Sequence, residues 1–178
     1  MRIATFQFQG RRHVGIVSDD LQSVAPFQWP EARARLGAQS LIEDHVIGRE
    51  STAPTSAPVP MDQIRLEAPL PLPRRNIFCV GRNYHAHAKE LASSVFKDNT
   101  PKADTWPIVF TKVPESVVGP HDPVRLPGAQ VSTHIDYEAE LAVVIGKGGR
   151  NIARADAMSH VFGYTIINDV TARDVQMR

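Results

Sequence analysis

The sequence predicts a mixed, β-rich α/β fold preceded by a small N-terminal α+β domain, and three observations carry that prediction. Short runs of strand-forming residues recur from residue 3 to residue 167, a Pro- and Ser-rich stretch lies near residue 55, and the segments with helical spacing are few and short. At 178 residues the chain slightly exceeds a typical domain of about 150. One main domain with an appendage is therefore expected: residues 1–60 as the small domain and its linker, residues 61–178 as the larger part.

Residues 3–8 and 13–17 alternate in the manner of strands, and the polar Gly10-Arg11-Arg12 between them predicts a hairpin turn. From Trp29 to Ile47 the apolar Ala32, Leu36, Leu41 and Val46 fall at loosely helical spacing, with Pro30 acceptable in a first turn. Residues 50–60 are rich in Pro and Ser and short of large apolar groups, so they read as a linker that buries too little to offset its ordering entropy. Beyond it, residues 77–80, 108–110, 141–145 and 162–167 read as buried strands, and residues 83–92 and 153–161 as short helices, with Asn83 a suitable N-cap.

Composition excludes several classes of function. With 20 Lys+Arg against 19 Asp+Glu the net charge is +1, which gives no general attraction to phosphate, so nucleic acid is not expected as a partner. The longest apolar stretches are far too short to span a bilayer, and the first residues lack the apolar core of a signal peptide. No membrane partner is expected. The lone Cys79 can form no internal disulfide, which fits a reducing compartment and a cytoplasmic location.

The segment Asp136-Tyr137-Glu138-Ala139-Glu140 concentrates acid just ahead of Leu141-Ala142-Val143-Val144-Ile145. Strand alternation puts Asp136, Glu138 and Glu140 on one face. Two readings stand: a solvated face on an edge strand, or carboxylates at the mouth of a buried strand, which require a compensating cation. A hard divalent ion such as Mg2+ suits oxygen ligands. Asp169, at the end of another apolar run, is the candidate third ligand, because the interval after Glu138 accommodates a turn, a helix and a return strand. It also reads as a simple cap for an element beginning after Val170. In Gly81-Arg82-Asn83-Tyr84-His85-Ala86-His87-Ala88-Lys89-Glu90, a helix would set His87 and Glu90 three residues apart on one face. That pair is either a solvated polar pair or a general base oriented by a carboxylate. On a strand, His85, His87 and Glu90 would instead form a cupin-like metal site. Gly146-Lys147-Gly148-Gly149 lacks the residues of a phosphate loop and reads as a turn.

Four segments taken together carry a resemblance: Val80 to Tyr84 running to His87 and Glu90; Phe110-Thr111-Lys112 with Gly119; Asp136 to Leu141; and Gly163-Tyr164-Thr165 through Asn168-Asp169-Val170-Thr171-Ala172-Arg173-Asp174-Val175-Gln176. In this order they resemble the fumarylacetoacetate hydrolase family, in its bacterial branch of 2-oxo acid hydrolases, hydratases, isomerases and decarboxylases. The resemblance implies a β-roll catalytic domain that is incomplete here, since similar proteins continue well beyond Arg178, and so a C-terminally truncated chain. It implies that Glu138, Glu140 and Asp169 are metal ligands for Mg2+ or Mn2+, that His87 and Glu90 are the catalytic dyad, and that Arg173, Gln176 and Lys112 bind substrate. The expected partner is a small-molecule 2-oxo acid, and the expected assembly a homodimer. The expected reaction is hydrolysis of a C–C bond in an acylpyruvate or similar diketo acid, through an enolate stabilised by the cation. Decarboxylation, hydration or isomerisation of the same substrate class, or a non-catalytic metal-binding scaffold, are the alternatives.

Overall fold

The computed structural model describes residues 1–48, 56–81, 83 and 106–176. Its first element is the expected hairpin, β1 (Arg2–Phe8) and β2 (Arg11–Val17), paired antiparallel from Arg2 opposite Val17 to Phe8 opposite Arg11. Gln9 and Gly10 make the turn with φ of 48° and 74°. Two consecutive left-handed residues match the twist of the flanking strands, and Gly10 adopts that conformation at little cost. The sheet grows by β3 (Ser23–Pro26), β4 (Val59–Pro60) and β5 (Arg65–Leu66) into the order β4-β3-β2-β1-β5, antiparallel throughout.

Alternation sends β1 residues to two faces, and each face has its own core. Ala4, Phe6, Val24 and Val59 are buried together on one side, with Phe8, Val17, Met61, Ile64 and Leu66 packed around them. On the other side Val14, Phe27 and Leu41 are joined by Ile3, Ile16, Trp29 and Phe162. The stretch read as linker is thus partly structural. Val59 lies opposite Val24 and is buried, because one β-branched residue in the right register is enough to close that end of the sheet. Residues 49–55 lie outside the described ones.

The single helix expected over 29–47 is two: α1 (Glu31–Ala34) and α2 (Gln39–Val46). Gly37 breaks them with φ of 63°, and a Cβ there would lie 2.6 Å from the Pro69 carbonyl oxygen. That same carbonyl accepts from the Thr5 hydroxyl (3.0 Å) and the Ala38 amide (2.8 Å), so the break is where the segment after β5 is fastened to the helices. Glu67 adds a second fastening: its carboxylate pairs with the Arg12 guanidinium and accepts from the Gln7 amide at 3.0 Å.

The remaining pairs are local. β6 (Ile77–Gly81) and β7 (Ile108–Lys112) are antiparallel, β8 (Ile135–Asp136) pairs with β11 (Thr171–Ala172), and β9 (Ala139–Ile145) pairs with β10 (Val161–Asn168). A short α3 (Arg173–Gln176) comes directly after β11. The strands expected from the apolar runs are present, but not buried on both faces. Leu141, Val143, Ile145, Tyr164 and Ile166 are exposed on one face of the β9–β10 pair, while Ala142, Val144, Thr165 and Ile167 on the other are half-buried. Contacts divide the chain into two compact units, Met1–Pro71 with Val118–Arg178, and Leu72–Val117, the second holding β6 and β7. Among the described residues no helix is long and apolar enough to cross a membrane.

Within the first unit, the β9–β10 hairpin is tied to the N-terminal sheet by Phe162. The ladder is irregular between Val161 and Gly163, and the bulge turns the Phe162 ring into the Val14–Phe27–Leu41 cluster, where His45 meets it edge-on at 5.8 Å.

Both the sheet and its fastening can be tested by substitution. Gly15 lies so close to β3 that a Cβ would be 2.5 Å from the Ala25 carbonyl oxygen and 2.9 Å from Pro26 Cα; Gly15→Ala is expected to cost about 1–3 kcal/mol, read as a lower urea midpoint. Burial works to raise the Glu67 carboxyl, but hydrogen bonds from Arg12 and Gln7 and the charges of Arg12 and Arg65 outweigh it and hold it below its ordinary 4.5. The stabilisation is therefore complete above that ordinary value and is lost as pH falls through the lowered folded one. Glu67→Gln should lower Tm at neutral pH and flatten its decline in acid, measured by melting across an acid pH series.

Candidate active site

The sequence places acids on both sides of the β9–β10 ladder, and the register decides which of them meet. Asn168 is opposite Ala139 and Ile167 opposite Glu140. One step further, the Asp169 amide donates to the Glu138 carbonyl at 2.8 Å, so Glu138 and Asp169 are cross-strand neighbours. Alternation then puts Glu138, Glu140 and Asp169 on the same face, with Glu140 diagonal to Asp169. The Asn168 side chain secures the junction by accepting from the Glu138 amide at 3.1 Å. Asp169 is the most enclosed of the three, with 7% of its surface exposed.

The strand does not run unbroken through the acidic segment. β8 ends at Asp136 and pairs with β11, β9 begins at Ala139 and pairs with β10, and Tyr137 at the change of partner is exposed. Asp136 and Glu138 nevertheless face one cation. The Arg173 guanidinium donates from Nε to Asp136 Oδ2 at 3.0 Å, places Nη2 2.9 Å from the same oxygen, and pairs through Nη2 with Glu138 Oε1. Its Nη1 donates to the Gln176 side-chain oxygen at 3.0 Å, one helical turn on.

Arg173 is itself held in place. Its amide donates to the His134 carbonyl at 2.8 Å, and the next residue, Asp174, accepts from the Ser132 hydroxyl and from the Thr133 amide. Ser132 is buried. Its hydroxyl, against a small desolvation penalty and helped by the Thr133 amide and the His134 ring, holds the Asp174 carboxyl below its ordinary value, so that group is ionised at neutral pH. Ser132, Asp174 and Asp136 were not singled out as site residues by sequence reasoning, although Asp136 sits in the acidic motif and Asp174 directly follows Arg173.

Of the residues expected at the site, the fold brings together Glu138, Glu140 and Asp169 on one face and sets Arg173 and Gln176 beside them. Lys112 ends β7 in the other unit. His87 and Glu90, and with them the cupin-like alternative, lie outside the described residues. The donor set fits a hard divalent cation in kind: three carboxylates on one face, one of them buried. Among the described residues, however, no three His, Cys, Asp or Glu side chains are gathered closely enough to hold a metal ion.

Residues 76–178 match a family described as fumarylacetoacetate (FAA) hydrolase C-terminal. The chain belongs to the fumarylacetoacetate hydrolase family. It is 38% identical over 196 aligned residues to oxaloacetate tautomerase YisK of Bacillus subtilis, an alignment covering all of this chain and 62% of the relative. Its fold is similar to that of a fumarylacetoacetate hydrolase from Exiguobacterium antarcticum, with a TM-score of 0.73 and 36% identity, covering 99% of this chain and 58% of that one. It is also similar to maleylpyruvate hydrolase from Sphingobium sp. SYK-6, solved with manganese(II) and pyruvate, with a TM-score of 0.62 and 30% identity over 97% of this chain and 60% of that one. The chain therefore spans about 60% of the length of these relatives.

The Asp174 latch has a direct consequence. Asp174→Asn should leave the β9–β10 ladder intact but speed hydrogen exchange severalfold at the amides of Thr133 and Arg173, with no change at the amide of Asp169.

Proposed function

We propose that this chain carries a divalent-cation site for keto–enol chemistry on a small 2-oxo acid, and that the reaction is tautomerisation of an oxaloacetate-like 2-oxo dicarboxylate. The observation that carries the reading is the register that sets Glu138, Glu140 and Asp169 on one face beside Arg173. The similarity to an oxaloacetate tautomerase supports it.

In this reading Glu138, Glu140 and Asp169 hold Mg2+ or Mn2+. When bound, the cation supplies Lewis-acid polarisation of the 2-oxo group and offsets the negative charge that develops as the enol forms. Arg173 grips a substrate carboxylate through two parallel hydrogen bonds, a geometry that a planar guanidinium suits better than an ammonium. Gln176, one turn away, donates its amide to the same end of the substrate, and Lys112 adds positive charge. His87, oriented by Glu90, moves the proton: it takes one from the carbon next to the 2-oxo group and returns one to the oxygen. One C–H bond breaks, one O–H bond forms and the double bond shifts from C=O to C=C, so nothing is consumed. The molecule acts in the cytoplasm as a homodimer.

A second reading, C–C hydrolysis of an acylpyruvate, is supported by the likeness to maleylpyruvate hydrolase with its manganese and pyruvate. There the same His87 takes its proton from water for attack on the distal carbonyl.

The experiment monitors loss of the ultraviolet absorbance of enol-oxaloacetate, and in parallel pyruvate release from an acylpyruvate, with and without Mn2+. Metal-dependent enol loss without pyruvate release is the expected result. Asp169→Asn should lower the rate roughly 100-fold or more with the fold retained by circular dichroism. Full activity after exhaustive chelation would overturn the reading.

A further inference from the structure

The donors of Arg173 are spent on the very groups the proposed function needs. Nε and Nη2 hold Asp136, Nη2 also holds Glu138, and Nη1 holds the Gln176 oxygen. A guanidinium arranged this way cannot also clamp a substrate carboxylate with two parallel bonds. A divalent ion ligated by Glu138 would lie against the same carboxylate that the guanidinium pairs with, and the two positive charges would repel. The backbone around the pair is fixed on both sides: Asp169 is bonded to Glu138 through the main chain, and α3 is bonded to His134 and latched by Ser132 and Asp174. Only side chains are left to move, and that of Arg173 is about a third exposed (34%), with room to rotate outward.

Charge gives the reason for a swap. Asp136, Glu138, Glu140 and Asp169 bring four carboxylates to adjoining strand ends, and Arg173 pairs with the first two of them. A divalent ion on the Glu138 face would compensate the acids more fully, and it would repel the guanidinium already there. Two cations held against one carboxylate are thermodynamically linked through their mutual repulsion, so each must weaken the other's hold.

We propose that Arg173 is an exchangeable counter-ion: in the cation-free chain it neutralises Asp136 and Glu138, and a divalent cation displaces it from Glu138, freeing the guanidinium for the substrate carboxylate only after the metal has bound. The inference rests on the proposed cation site and adds to it an order of events. Cation first and substrate second is built into the wiring, because the group that receives the substrate is otherwise engaged in holding the empty site together.

The test uses the 178-residue chain, with Mn2+ alone as the probe, in calorimetric titrations and thermal melts of the wild type, Arg173→Gln and Glu138→Gln. Arg173→Gln should bind Mn2+ roughly three- to tenfold more tightly, as expected when a partly exposed ion pair no longer has to be broken. The same variant should melt below the wild type without metal and level with it in saturating Mn2+. Glu138→Gln should bind Mn2+ much more weakly than the wild type. Arg173→Lys carries a further arm, also used should Arg173→Gln fail to fold: it keeps the positive charge but not the planar fork that pairs with two acids, so a modestly tighter Mn2+ affinity is expected, which a charge merely lying near the acids would not give. If the wild type binds Mn2+ but neither Arg173 variant binds it more tightly, the counter-ion proposal is overturned and the cation reading stands. If no protein binds Mn2+, both fall together.

Discussion

One main-chain hydrogen bond, from the Asp169 amide to the Glu138 carbonyl, sets the geometry on which the site depends. Side chains in a strand alternate, so a slip of one residue would turn Asp169 away from the face that carries Glu138 and Glu140. Several features resist that slip. The bulge at Phe162 fixes the far end of the ladder, the Asn168 side chain holds the Glu138 amide at the near end, and beyond the break at Tyr137 the chain resumes pairing through β8 and β11. The carboxylates share a face because the strand register sets them there.

Gathering acids in this way is costly unless positive charge is close at hand, most of all for a carboxylate as enclosed as that of Asp169. Part of that charge comes from Arg173, whose own placement is secured by contacts on the opposite side of α3. Ser132 is buried and gives its hydroxyl to Asp174, and His134 offers its carbonyl to the Arg173 amide. The arrangement is therefore layered: a neutral and ionic latch positions a turn, the turn positions a guanidinium, and the guanidinium offsets the acids.

Features that depend on neighbours along the chain were legible in the sequence. The Gly10 turn, the alternation of the first hairpin and the shared face of Glu138 and Glu140 are local, and they are present in the fold. The break at Gly37 was not visible, because it answers to the Pro69 carbonyl, which only the folded chain brings near. Val59 looked like linker because its burial depends on Val24 across a strand pair. The runs at 141–145 and 162–167 were read as enclosed on both sides, yet periodicity reports which residues share a face and says nothing about what covers it; Leu141 and Ile166 are exposed. Arg173 was recognised as a substrate-binding residue through the family resemblance, whereas its engagement with Asp136 and Glu138 is a long-range contact that spacing does not reveal.

Phe162 has a wider consequence than its single ring suggests. It is the irregular residue of a strand that ends at the acids, and it is also part of the packing among Val14, Phe27 and Leu41. It packs the β9–β10 hairpin against the N-terminal sheet. Loosening the N-terminal sheet would be transmitted through that ring to the hairpin, so the precision of the acidic corner is partly borrowed from hydrophobic contacts far from any charge. Natural variation at Leu41 or Val14 would then register as a shift in the positions of the acids, with no polar residue changed.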